Sequence, residues 1–166
     1  MKLAGHMAGG YLVSHVLSNR LTSDQKERRR LQILGALAGM LPDLDFLWHV
    51  YKKGRVEYKN DFRHHTWITH TFPFYWTPAA VLYTIGALKK KPKLQHAASV
   101  FAAGTTAHLV QDTIGSGDGI MLFYPFSKRM DGIGLLGLHG DEWDAKYTHS
   151  PIYLIELTIS LIAGVV

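Results

Sequence analysis

The stretch LQHAASVFAAGTTAHLVQD, residues 94–112, decides the fold. It carries no Asp, Glu, Lys or Arg before its last residue. No apolar–polar alternation marks it as a half-buried strand, so it reads as a helix. Ala and Gly are frequent in it, and small side chains let helices pack closely, in membranes especially. It closes on His108-Leu-Val-Gln-Asp112. Residues four apart on a helix share one face, so an imidazole and a carboxylate there can grip one ion. Met alone, such a pair is more often a polar pair satisfied in a helical core.

Three more apolar segments lie around it. Leu3 to Asn19 has no formally charged residue and reads as a first helix, weakened by Gly9-Gly10. Thr22-Ser23-Asp24 resembles an N-cap, with Glu27 at capping-box distance. A second helix then runs to about Met40, where Pro42 ends or restarts it. Lys52 to Arg63 is polar and reads as a loop. Thr66 to Leu88 holds 23 residues without a formal charge, long enough for a membrane-spanning helix. Pro73 and Pro78 interrupt that stretch, and His70 lies inside it. Residues 113–140 are rich in Gly and read as irregular. Ile152 to Val166 is apolar apart from Glu156, which fits a last helix on or in the membrane. Residues 1–166 are thus expected to form one all-α, single-domain helical bundle, membrane-associated.

Composition agrees. Hydrophobic residues make up 47% and charged residues 19% of the 166, below the charged share of about 25% usual in soluble domains. The mean hydropathy is zero. Cysteine is absent, which excludes disulfides and thiolate sites, so any metal falls to His, Asp or Glu. Ten His are available. The net charge is +5, with cations in blocks at Lys26–Arg30, Lys52–Arg55, Lys89–Lys93 and Lys128-Arg129. Such blocks beside apolar stretches suit cytoplasmic flanks of an inner-membrane protein, or equally solvated loops. Their scatter argues against one continuous nucleic-acid-binding face. The first residues lack the basic region of a cleavable signal peptide.

Four signals carry chemistry. His108 and Asp112 are the first. Pro42-Asp43-Leu44-Asp45 is the second; two acids this close repel unless a cation or hydrogen-bond donors compensate. An exposed turn in which Asp43 caps a helix is the plainer alternative. In His64-His65-Thr66-Trp67-Ile68-Thr69-His70, His65 and His70 converge only if His65 precedes the helix. His6, among small residues, is the fourth. His15 falls on the opposite side of a regular helix and reads as structural. Four apolar segments thus each deliver a His or an Asp, and in a helical bundle such groups point inward and converge on metals. Imidazole and carboxylate ligands without sulfur suit Zn, Mn, Fe or Ni. Several such ligands could hold two ions, with Asp112 as the bridge.

The order Gly5-His6, Pro42-Asp43-Leu44-Asp45, His65-x4-His70 and His108-x3-Asp112, then a Gly-containing loop and Tyr124-Pro125-Phe126, resembles a known family. It is the bacterial and archaeal family labelled predicted membrane-bound metal-dependent hydrolases, itself similar to zinc-dependent phospholipase C. The resemblance covers residues 5 to about 127. It implies a helical enzyme with one to three divalent transition-metal ions, zinc foremost. Metal roles are implied for His6, Asp43 or Asp45, His65 or His70, His108 and Asp112. Where the family has His-Arg-Gly, this chain has His65-Thr66-Trp67; Arg63 is nearby.

The function expected is hydrolysis of a phosphoester, lipid-like or membrane-proximal, by a metal-activated water. Asp43 or Asp45 is the candidate general base. The partners expected are membrane lipid and a small-molecule or lipid phosphoester substrate. A non-catalytic metal-binding membrane protein is the alternative, and a nucleic-acid binder ranks lowest. His49, His64 and His96 are expected to be exposed, His139 to lie in a surface turn, and His149 to precede the last helix. Phe72, Phe74, Tyr75 and Trp76 could line an apolar substrate pocket, or form an aromatic belt or core.

Overall fold

Asp24 begins the second helix as its sequence suggests. Its side chain accepts from the amides of Lys26 at 2.9 Å and Glu27 at 3.4 Å. The reciprocal half of the capping box is missing. Glu27 turns instead to Thr22 Oγ1 at 3.1 Å and His96 Nδ1 at 2.9 Å. The result is a half-buried His96 where sequence suggested an exposed one. An Asp24→Ala variant is expected to lose about 1 kcal/mol of stability in thermal unfolding.

The computed structural model describes residues 1–45, 47, 51, 64–115, 119–133 and 141–166. Six helices occur among them: α1 (Leu3–Leu21), α2 (Gln25–Met40), α3 (Phe72–Leu88), α4 (Pro92–Gly115), α5 (Asp141–Thr148) and α6 (Pro151–Val165). Tight 3-10 turns cover Pro42–Leu44, His64–Thr66 and Ile68–His70. The described residues contain no strand; Ile120 and Asp131 form one isolated bridge. The all-α, single-domain bundle is the observed architecture.

Glycine sets how closely the helices approach. α1 and α2 run antiparallel, and α4 crosses both. A Cβ on Gly104 would lie 2.7 Å from the Gly35 carbonyl, and one on Gly10 would strike that same oxygen. Backbones this near leave no room for any side chain. α3 lies antiparallel on α4: Tyr75 meets Phe101 and Gly86 meets Gln95. α6 packs on the start of α1, where Glu156 occupies the space beside Gly5.

This antiparallel order gives the bundle two poles. α1 and α3 start, and α2 and α4 end, at one pole. The α1–α2 and α3–α4 connections form the other pole, tied by Glu27 and His96. All four chemical signals of the sequence fall at the first pole.

The expected spanning helix over Thr66–Leu88 is corrected. Trp67 and Thr71 are extended and the residues between form a separate turn, so α3 begins only at Phe72 and has 17 residues. Pro73 stands in its first turn, where a missing N–H costs nothing. Among the described residues, no helix is long and apolar enough to cross a membrane. Helix α4 reaches into the Gly-rich stretch as far as Gly115, and α5 was not foreseen. The Lys52–Arg63 loop, His49 and His139 lie outside the described residues, as does the side chain of His64.

Candidate metal centre

α1 places His6 one turn from its start, in contact with the end of α4. The imidazole is fully buried. Its Nδ1 lies 3.2 Å from Gln111 Oε1. Its Nε2 faces only oxygens: Asp112 Oδ1 at 3.0 Å, Met1 O at 3.2 Å and Asp43 Oδ2 at 3.8 Å. Gln111 donates in turn to the Gly5 carbonyl at 3.1 Å and so fixes the first turn of α1 to α4.

His108 stacks on His6 with ring centroids 3.8 Å apart. Its Nδ1 donates to the Gly39 carbonyl at 2.6 Å, which leaves Nε2 with its lone pair toward the centre. There Nε2 meets Asp112 Oδ2 at 3.0 Å and Asp43 Oδ1 at 3.6 Å. His108 Nε2 and Asp112 Oδ2 are buried, yet no hydrogen bond satisfies either. Buried polar atoms are normally satisfied, so such orphans point to an absent ion or water.

The turn Ile68–His70 brings in a third imidazole. His70 Nδ1 lies 3.2 Å from Asp45 Oδ2, which accepts from Thr69 Oγ1 at 2.6 Å. Nε2 is then directed inward, 3.5 Å from Asp43 Oδ1 and 3.8 Å from Asp112 Oδ2. His65 Nε2 reaches Asp112 Oδ2 at 3.8 Å. Among the described residues, two groups therefore have ligand atoms within 4.8 Å of one another: His6, Asp43, His108 and Asp112 in one, His65, His70 and Asp112 in the other. Asp112 belongs to both.

The charges in the turns fit a site made for positive charge. Burial alone would raise the Asp43 carboxyl, but the neighbouring His70, His108 and His6 bring it down to about 2. Burial would lower His70, but its contacts with Asp43 and Asp45 raise it to about 9. Three carboxylates packed among histidines favour a cation, and a divalent ion satisfies them more fully than an imidazolium.

All seven residues singled out in the sequence meet here, but in different roles. Asp45 stands in neither group. It sits behind His70 and holds the ring in place, as carboxylates behind metal-bound imidazoles do. Among the described residues it is thus the one of the seven that stands outside both groups. Asp45→Asn is expected to weaken metal binding 10–100-fold, by roughly the usual cost of losing such a partner, while circular dichroism stays helical. His15 pairs with Gln32 Nε2 at 3.3 Å, away from the centre. His149 is exposed against the Ala145 carbonyl, ahead of the Ser150 cap of α6. Tyr75 is buried beneath Asp43 and Asp45, whereas Phe74 and Trp76 are exposed. Trp76 divides two open apolar grooves, one of about 400 Å³ between α3 and α4 and one of about 440 Å³ between α4 and Val13 of α1.

Sequence reasoning missed three contributors. Gln111 and Thr69 carry no signal beyond standing next to a candidate. The Met1 amino group, 3.1 Å from Asp112 Oδ1, has no sequence signal at all.

Compared with family models, residues 1–166 match the one described as YdjM inner membrane protein. The chain belongs to the YdjM inner membrane protein family. The inner-membrane location expected from the apolar segments and cation blocks agrees with that description. Comparison with curated proteins and with solved structures gives no match. Membership in the YdjM family thus fixes where the protein belongs, while the His/Asp centre is a property of its own residues.

Proposed function

We propose that this YdjM-family protein is a metal-dependent hydrolase that cleaves a phosphoester, lipid-like or otherwise membrane-proximal. The observation that carries the reading is the position of Asp112 between two His-containing groups. His6, Asp43, His108 and Asp112 would hold one ion, and His65, His70 and Asp112 a second. Sulfur-free nitrogen and oxygen ligands suit zinc, manganese, iron or nickel, and zinc is the ion proposed. Such ions lower the pKa of a water and stabilise the charge that develops on a phosphoryl group. The residues do the rest. Asp45 and Thr69 orient His70, the Gly39 carbonyl fixes the tautomer of His108, and Gln111 orients His6. Asp43, whose side chain is 17% exposed, is the more open of the two acids and the one that enters the first group. The likeness in motif order to membrane-bound metal-dependent hydrolases supports the same reading.

A non-catalytic metal site is the second reading, favoured by the full burial of His6, His70 and His108. Elemental analysis of the purified wild type and of a His108→Ala/Asp112→Ala variant tests the metal. At least one equivalent of a transition metal in the wild type, and loss in the variant, is expected. Phosphodiester substrates then separate the two readings. Metal without turnover supports the structural site, and no metal after reconstitution overturns both.

A further inference from the structure

Glu156 is a buried acid that neither group of the metal centre includes. It is the one Asp, Glu, Lys or Arg between Pro151 and Val166, yet it turns into the bundle and is only 4% exposed. A buried carboxylate is costly unless donors surround it. Two donors do so, from two other parts of the chain. Glu156 Oε2 accepts from the Lys2 amide at 3.1 Å and from the Tyr147 hydroxyl of α5. The start of α1 needs such an acid. Lys2 stands at its N-cap with no side chain capping it, and the first turn holds no Asp or Glu. The first N–H groups of a helix lack intrahelical acceptors and form the positive end of its dipole. A carboxylate 154 residues away supplies what the local sequence omits.

Two routes of contact lead from this carboxylate to His6. The first is the Lys2 peptide. Glu156 holds the Lys2 N–H, and the Lys2 carbonyl accepts the His6 amide at 3.1 Å. The second is Gly5. A Cβ there would lie 2.5 Å from Glu156 Cγ and 2.7 Å from Cδ, so only glycine lets the acid lie this close. The Gly5 carbonyl accepts from Gln111 Nε2 at 3.1 Å, and Gln111 Oε1 lies 3.2 Å from His6 Nδ1. The other ring nitrogen of His6 is the one 3.0 Å from Asp112 Oδ1. Helix ends fray, and His6 stands one turn from such an end. Whatever stops α1 from fraying also sets where this imidazole points.

We propose that Glu156 is a positioning residue for the first group of the metal centre. By capping α1 from α6 it fixes the turn that carries His6, and so holds the imidazole against Asp112 and Asp43. Tyr147 orients the carboxylate from α5. Among the described residues, α5 and α6 contribute nothing to either group, yet through Glu156 they govern one of its ligands. The second group, His65, His70 and Asp112, has no such link to α1 and stays outside this control. The inference takes the metal from the reading proposed above, and the positioning from the contacts of Glu156 alone.

The test compares Glu156→Ala and Glu156→Gln in the full chain, with Leu157→Ala as the control, an exposed neighbour on the same helix. Two quantities are read. The first is the affinity for zinc, by competition with a chelator. Glu156→Ala is expected to weaken one ion by about 10-fold, the lower end of what a supporting residue contributes, and to leave the other unchanged. Glu156→Gln keeps an acceptor for the Lys2 amide and is expected to retain most of the affinity, and Leu157→Ala all of it. The second is the magnetic resonance of the histidine ring nitrogens in metal-free protein. The His6 signals are expected to move in Glu156→Ala, while those of His96 at the opposite pole stay. If circular dichroism finds the alanine variant unfolded, Glu156→Leu takes its place, filling the space without an acceptor. Unmoved His6 signals, wild-type affinity in Glu156→Ala, or an equal loss in Leu157→Ala overturns the inference. Wild type that holds no zinc overturns the metal reading instead, and the His6 signals then decide the positioning alone.

Discussion

Asp112→Ala is expected to strip the protein of metal. Its two oxygens serve both groups: Oδ1 lies 3.0 Å from His6 Nε2, and Oδ2 lies 3.0 Å from His108 Nε2 and 3.8 Å from both His65 and His70. Asp43 also approaches His70 at 3.5 Å, but only Asp112 belongs to both groups, and Asp45 is committed to His70. The loss of affinity should exceed about 100-fold, the upper end of what changing a mere supporting residue does. Competition against a chelator measures it. His65→Ala, by contrast, touches one group and should leave the other loaded. Full metal content in Asp112→Ala would mean that the converging His and Asp residues are an internal ion-pair cluster and nothing more.

Gly35→Val is expected to abolish the fold. A Cβ at Gly35 would overlap the Ser14 side chain and lie 2.8 Å from the Gly10 carbonyl. The backbone cannot retreat, because the Gly35 carbonyl is itself wedged against Gly10 and Gly104. Overpacking in a forgiving core costs about 1–3 kcal/mol; here three helix backbones would have to part, so the loss should exceed about 3 kcal/mol. Thermal unfolding of the detergent-extracted protein reads it, and a midpoint within a few degrees of wild type would show that α1, α2 and α4 do not cross this closely. Gly164→Val is the control, since nothing lies within 4 Å of a Cβ there.

The bundle was legible because four uncharged stretches are separated by cation blocks or turns, and because Asp24 and Pro42 punctuate α2. The centre was legible because His and Asp are costly inside apolar segments, so their presence there asked for a reason. The preference for His6 over His15 follows from the small residues around His6, and Gly39 and Gly5 do lie against its surroundings. Other features needed three dimensions. Asp43 and Asp45 look interchangeable in sequence; only the position of His70 separates the inward acid from the one behind the ring. The start of α3 was misplaced because charge counting over Thr66–Leu88 ignores the extended residues Trp67 and Thr71. Glu156 looks like an isolated charge in an apolar helix. In the structure it accepts from the Lys2 amide at 3.1 Å and from the Tyr147 hydroxyl.

The dispersal of the ligands along the chain also orders events in time. His6 leaves the ribosome early, whereas its partner Asp112 follows 106 residues later, after about 5–20 s at usual bacterial synthesis rates. Until α4 emerges, His6, Asp43, Asp45, His65 and His70 are present, but neither group is complete without Asp112. An ion held by the first group would therefore report that α1, α2 and α4 have come together. Completion of the centre thus waits on the last of these helices to be made.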